Sequence, residues 1–167
     1  MGREVITPEL VPRPVRESAS DYLEIALPND ANPLGNLLGG RVMHLVDLAG
    51  ALAAARHSRC PVVTASVDSM TFLHPVHIGQ LIILKSSVNR AFRTSMEVGV
   101  KVWVEDLGTG VRRHTSSAYL TFVALGPNNE RVPVPPVLPE TQEEKRRYEA
   151  AFIRREYRLS QKKQEKP

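Results

Sequence analysis

The stretch NPLGNLLGGRVMHLVDLAGALAAARH, residues 32–57, holds the groups best suited to chemistry. Asp47 lies midway along a run at helical spacing. Val42, Leu45, Val46, Ala49, Leu52 and Ala53 form its main apolar stripe. Met43, Asp47, Gly50, Ala51 and Ala54 share an adjoining face of mostly small residues. A helix this apolar is expected to be largely enclosed. A carboxylate there is costly unless bonded. Asp47 therefore accepts bonds from a nearby loop or strand, or serves as a catalytic base; periodicity alone leaves both readings open. Gly50 costs roughly 1 kcal/mol against alanine in a helix interior. A second backbone or a ligand is expected to approach there.

Gly39 and Gly40 open this helix, where the first amides lack intrahelical partners and the dipole adds partial positive charge. Glycines let a substrate reach the bare backbone. The pair is thus either a tight turn or an oxyanion site for a carbonyl gaining charge. Asp47 follows Gly40 by about two turns, roughly 10 Å, which is long for both to touch one reacting atom. A loop or a second subunit is expected to close the gap. Asn32, whose amide can orient a water or a carbonyl, is a candidate to help.

Other chemistries find little support. There is no G-x-S-x-G elbow and no complete glycine-rich phosphate loop. The single cysteine, Cys60, excludes an internal disulfide, and no Cys/His zinc spacing occurs. His74 and His77 are separated by a proline turn, without an acidic or thiol ligand beside them. No metal or cofactor is expected.

The elements that must position these groups are legible in outline. Residues 1–17, with Pro8, Pro12 and Pro14, read as an extended arm. Strands are expected at 21–27, 62–73, 80–92, 95–106 and 111–125, and the chemistry-bearing helix at 38–57. The alternation in 95–106 is clearest: Met96, Val98, Val100, Val102 and Val104 face the core, and Glu97, Lys101 and Glu105 face away. LGTG, residues 107–110, makes a hairpin turn. Ala118, Leu120, Phe122 and Ala124 form the apolar face of the returning strand. A proline-rich stretch leads to a last helix with a capping box at Thr141 and Glu144 and an apolar stripe of Tyr148, Ala151, Phe152 and Leu159. One helix followed by a meander of strands is an α+β pattern.

With 167 residues, 42% apolar and 24% charged, the chain fits one soluble domain with extensions. No apolar run spans a bilayer, and no signal or lipidation pattern opens the chain. A cytoplasmic, reducing setting is expected. The net charge of +4 is mild, and much of it lies in the tail RREYRLSQKKQEKP. A solvated helix end explains that tail better than nucleic-acid binding, because aromatic interleaving is sparse.

The pattern N-x-x-G-x-x-x-G-G at Asn32, Gly35, Gly39 and Gly40, continuing as RVMHLVD to Asp47, resembles the hotdog-fold acyl-CoA thioesterases. The similarity is to bacterial acyl-CoA thioester hydrolases and mammalian brain-type cytosolic acyl-CoA hydrolases. VVTASVDSMTFLHPVHIGQLI, FRTSMEVGVKVWVED and AYLTFVAL match later blocks, so the resemblance covers about residues 18–160. It implies a long central helix wrapped by an antiparallel sheet over 18–127, with 128–167 as a proline-rich linker and C-terminal helix. It also implies a dimer, stacked as a trimer of dimers, with acyl-CoA as the substrate. Asp47 then matches the catalytic carboxylate, as base or nucleophile. Asn32 would come from the partner subunit, and the Gly40 amide, with Gly39, would polarise the thioester carbonyl. Arg93, Thr94 and Ser95 match a contact to the CoA phosphates. Asp68 and Ser69 stand near the family's site, although many relatives carry Glu in place of Asp68. Met70 and Phe72 read as packing residues. Two alternatives share the fold: a non-catalytic acyl-CoA sensor, which does not need Asp47, and a dehydratase, whose usual histidine before the helix is missing here.

Overall fold

The computed structural model describes residues 10–164. Helix α1 spans Gly39–Ser58 and lies against a five-stranded antiparallel sheet. The strands are β2 (Ser20–Ile25), β3 (Val62–Val67), β4 (Leu81–Ala91), β5 (Ser95–Glu105) and β6 (Arg112–Ala124), in the order β2-β4-β5-β6-β3. This is the α+β hotdog arrangement. Two further pieces, β1 (Arg13–Pro14) and β7 (Val137–Leu138), pair in parallel and tie the arm to the proline-rich stretch. Residues 1–9 of the expected arm, Pro8 among them, lie outside the described residues, as do Glu165, Lys166 and Pro167 of the basic tail. Helix α2, Gln142–Gln164, crosses the face of the sheet opposite α1. Its expected capping box is formed: Glu144 N–H donates to Thr141 Oγ1 at 3.1 Å, and Thr141 N–H to Glu144 Oε2 at 3.0 Å.

The core forms where the alternation places it. Met96, Val98, Val100, Val102 and Val104 of β5 are buried under α1, with Ala118, Leu120, Phe122 and Ala124 of β6. Val42, Leu45, Val46, Ala49 and Ala53 supply the helix side. Leu52, expected among them, is 45% exposed, and Met43 and Leu48 of α1 are also exposed. The helix is therefore enclosed on one side only. Among the described residues nothing covers its other apolar side.

Three further expectations need correction. The strand expected at 62–73 ends at Val67. Its register slips between Thr64 and Ser66, a β-bulge that bends the strand, and the chain then leaves the sheet toward Pro75. Glu97, expected to face water, is fully buried, because α2 covers it and Arg154 meets it at 2.7 Å. Asn89 Nδ2 donates to the same carboxylate, and Arg158 stands 3.7 Å from it. A buried carboxylate persists only with such partners. Lastly, neither a backbone nor a ligand fills the notch at Gly50. The ring of Phe122 does: a Cβ at position 50 would stand 2.9 Å from it. The apolar stripe on α2 is likewise only partly used, with Ala151 buried and Phe152 and Leu159 exposed.

Candidate active site

Asp47 projects from the middle of α1 toward the edge strand β3. Its Oδ1 accepts a hydrogen bond from Thr64 Oγ1 at 2.6 Å. Its Oδ2 has no bond among the described residues, and the side chain is half-buried. The β-bulge begins immediately after Thr64, and bulges of this kind re-aim side chains beside active sites. Thr64 was not singled out in the sequence. A threonine within VVTASV carries no local signal, and only the pairing of β3 with β6 brings it to α1.

The start of α1 is held by its surroundings. Leu38 N–H donates to Asp30 C=O at 2.9 Å and Leu37 N–H to Val76 C=O at 2.8 Å. Arg41 pairs with Glu24 of β2 and lies 3.0 Å from Asp30. Leu38 caps the helix without a side-chain bond. The N–H groups of Gly39 and Gly40 make no hydrogen bond among the described residues, while those of Arg41 and Val42 turn back to Leu38 C=O. A Cβ at Gly40 would meet open space, and one at Gly39 would stand 3.7 Å from the Phe72 ring. Two outward-facing amides at a positive helix end are well placed for an anionic oxygen.

Asn32 is fixed in the loop before this helix. Its Oδ1 accepts from Leu34 N–H at 2.9 Å and Asn36 N–H at 3.1 Å, and its C=O accepts from Gly35 N–H at 3.0 Å. Gly35 has φ +77°, which favours glycine at that turn. With its oxygen occupied, Asn32 has only its Nδ2 left to offer, as a donor. Asn32, Gly39, Val42, Phe72 and Leu73 line one cavity of about 290 Å³. Phe72, read from the sequence as packing, is 43% exposed and forms a wall of this cavity. Met70 packs against the core as expected.

Asp47 is not part of that cavity, so one chain does not bring all the candidates together. Arg93, Thr94 and Ser95 lie at the β4–β5 turn. Ser95 pairs with Val123, next to the Ala124–Val62 pair that begins β3 after α1 has ended. They are thus at the opposite end of α1 from Gly40, and a helix of 20 residues is about 30 Å long. The backbone carbonyls of all three accept hydrogen bonds, and the Arg93 side chain is exposed. Asp68 faces α2 on the other side of the sheet and accepts from Arg158 Nη1 at 2.9 Å. Burial pushes its carboxyl above the ordinary range, and the Arg158 charge opposes that rise. Ser69 follows it, exposed. His77 Nδ1 lies 2.7 Å from Asn36 Oδ1 and so braces the loop that carries Asn32.

Comparison with known proteins places this geometry. Residues 34–111 match the family model described as the thioesterase superfamily. The chain is 44% identical over 138 residues to the uncharacterized acyl-CoA thioester hydrolase YkhA of Bacillus subtilis, covering 83% of this chain and 79% of that one. It spans about a quarter of the mouse acyl-CoA and acetyl-CoA thioesterases it matches. The crystal structure of an acyl-CoA hydrolase from Bacillus cereus superposes with TM-score 0.87 at 39% identity, over 92% of this chain and 93% of that one. An acyl-CoA hydrolase from Staphylococcus aureus, in complex with butyryl coenzyme A, coenzyme A and coenzyme A disulfide, gives 0.83 at 34% identity, over 91% and 94%. No helix among the described residues is long and apolar enough to cross a membrane. With this fold and these relatives, the chain belongs to the thioesterase superfamily, among its hotdog-fold acyl-CoA hydrolases.

Proposed function

We propose that the protein hydrolyses acyl-CoA thioesters to a carboxylic acid and free CoA, at a site that two protomers build together. The observation that carries this reading is the split geometry. An anchored carboxylate with a free oxygen sits at mid-helix, and free amides with a pre-set donor sit at the helix start, too far along the same chain to meet.

Pairing through the open edge of β3 resolves the separation. An isologous antiparallel pair sets the two α1 helices side by side and reversed. The start of one helix then lies alongside the middle and far end of the other. Asn32, Gly39 and Gly40 of one protomer face Asp47 and Thr64 of its partner, with the partner's Arg93–Ser95 turn on the same side. Hexameric acyl-CoA thioesterases are among the structural neighbours, and we extend the pair to a trimer of dimers on that basis. The phosphate role of Arg93, Thr94 and Ser95 rests on family resemblance and on this placement. Asp68 faces α2 and Ser69 is exposed, and we assign neither a contact with substrate.

In the reaction, Asp47 takes a proton from a water whose oxygen attacks the thioester carbonyl carbon. The carbonyl π electrons move to oxygen, where the Gly39 and Gly40 amides and Asn32 Nδ2 donate. The tetrahedral intermediate collapses, the C–S bond breaks, and the CoA sulfur takes the proton from Asp47. Thr64 holds the carboxylate so that one oxygen stays aimed at the water. No step calls on a metal or a cofactor. If Asp47 instead attacks the carbonyl itself, an anhydride forms with loss of the CoA thiolate, and when water then attacks the Asp47 carboxyl carbon, a single turnover in ¹⁸O-water labels Asp47 and leaves the acid unlabelled.

The replaced residues of the Staphylococcus aureus hydrolase support the assignment. That enzyme was crystallised with alanine for one Asn, one Asp and one Thr, at positions spaced 15 and 17 residues apart. Asn32, Asp47 and Thr64 have the same residue types in the same order at the same spacing. The test is thiol release from a panel of acyl-CoAs. Asp47→Asn should lower kcat by about 10²–10⁴-fold, the range of general-base help, with the oligomer intact by sedimentation. A folded Asp47→Asn with near-normal turnover contradicts the proposal. Tight CoA binding without thiol release from the unaltered protein would instead favour a sensor.

A further inference from the structure

The seat of Phe122 bears on which acyl chains the site accepts. Three observations meet there. Thr64, the residue that holds Asp47, is the cross-strand partner of Phe122 in the β3–β6 ladder, so both side chains lie on the face turned toward α1. Gly50 follows Asp47 by about one turn and shares its face of the helix. The Phe122 ring fills the notch at Gly50: a Cβ added there would stand 2.9 Å from Cε2 and 3.0 Å from Cζ. Phe122 is fully buried. Asp47, Thr64, Gly50 and Phe122 thus share one patch of the helix–sheet contact, with the ring seated against Gly50 about one turn from Asp47.

The chemistry of the substrate sets what that ring blocks. A thioester bound for attack at Asp47 has two arms. The CoA arm carries charged phosphates and must run to solvent. The acyl arm leaves the carbonyl carbon on the other side, toward the apolar space between helix and sheet. Ala51 and Ala54 leave the Asp47 face of α1 small, and the Phe122 ring fills the space inward of Gly50.

We propose that Phe122, seated against Gly50, is the floor of the acyl pocket and limits the depth available to the acyl chain, so that the enzyme favours short-chain acyl-CoAs. This inference rests on the thioesterase reading. A substituent in a tight apolar pocket discriminates about tenfold or more per methylene, so one ring can set a chain-length limit.

Two variants test it, with kcat/KM measured on butanoyl-, octanoyl- and dodecanoyl-CoA. Phe122→Leu removes the outer ring atoms that meet Gly50 and keeps the site apolar. It should raise the octanoyl-to-butanoyl ratio of kcat/KM about tenfold. Gly50→Ala added to Phe122→Leu refills the vacated space from the helix side and should return the ratio toward the unaltered protein. A merely structural loss would not be reversed by a second change in the core. If Phe122→Leu lowers all three substrates in parallel, or leaves their ratio unchanged, the floor is elsewhere and the inference falls. If the double variant fails to restore the profile, the opened space is not the acyl route, and the inference also falls. Absence of thiol release from the unaltered protein on every substrate would contradict the thioesterase reading itself, a separate result from an unmoved ratio.

Discussion

At the scale of the residue, Asp47 is set apart by its place: a half-buried carboxylate on the small-residue face of α1, tied to the edge strand through Thr64. The buried Glu97 has both oxygens engaged, by Asn89 and Arg154, as full burial requires. Asp47 gives one oxygen to Thr64, and its other oxygen has no partner among the described residues. Hydrogen bonds to a charged group are worth roughly 1.5–3 kcal/mol. If Thr64 aims the carboxylate, Thr64→Ala should lower kcat about ten- to hundredfold with little change in KM, and Thr64→Ser should recover most of it. Steady-state kinetics decide this, and an unchanged kcat in Thr64→Ala removes Thr64 from the site. The sequence could nominate Asp47 because a charge on an apolar face is conspicuous. It could nominate Gly39, Gly40 and Asn32 because their backbone and amide chemistry is plain in one dimension. Thr64 was hidden, since a hydroxyl in a β-rich run is ordinary until a bulge and a neighbouring helix give it a partner.

At the scale of the element, the strand alternation of β5 and β6 translated directly into a buried inner face, because period-2 patterning is a local property. The outer face did not translate. Whether Glu97 meets water depends on α2, more than 40 residues further along the chain, whose Arg154 and Arg158 reach back over the sheet. Arg154 also lies 3.7 Å over the Tyr119 ring. The far end of α1 shows a similar long-range tie. His57 is fully buried, its Nε2 lies 2.8 Å from Pro135 O, and its own carbonyl accepts from Arg13 Nη1 at 2.6 Å. Burial lowers the His57 pKa below its ordinary value of 6.5. The unfolded chain therefore binds this proton first on acidification. The stabilisation is present above about pH 6.5 and is lost as pH falls below it. Each tenfold difference in proton affinity between the two states costs about 1.4 kcal/mol. Thermal unfolding should show Tm falling from pH 7.5 to 5.5, and His57→Gln should flatten that slope. An unchanged slope in the variant would place the acid sensitivity elsewhere.

At the scale of the whole molecule, two features of the single chain bear on the proposed pairing. β3 ends the sheet with unpaired backbone groups and exposes Val63 and Val67, while α1 exposes Met43, Leu48 and Leu52 beside it. In sequence this helix reads as enclosed, and Leu52 as core. That reading misplaces the source of the cover, because an apolar face looks the same whether its own sheet or a second copy buries it. On the proposed reading the site divides in the same way: Asn32 and Gly39 line one cavity and Asp47 lies outside it. The central claim is that each thioester site takes Asp47 from one protomer and Asn32 from the other. The direct measurement is activity on co-expression of Asp47→Asn and Asn32→Ala chains, each inactive alone. A mixed pair carries one site with both lesions and one with neither. Random pairing should then restore about a quarter of the unaltered rate. A mixed preparation no more active than its inactive parents, with mixed pairs demonstrated by differential tagging, would place both residues in the same protomer and contradict the account.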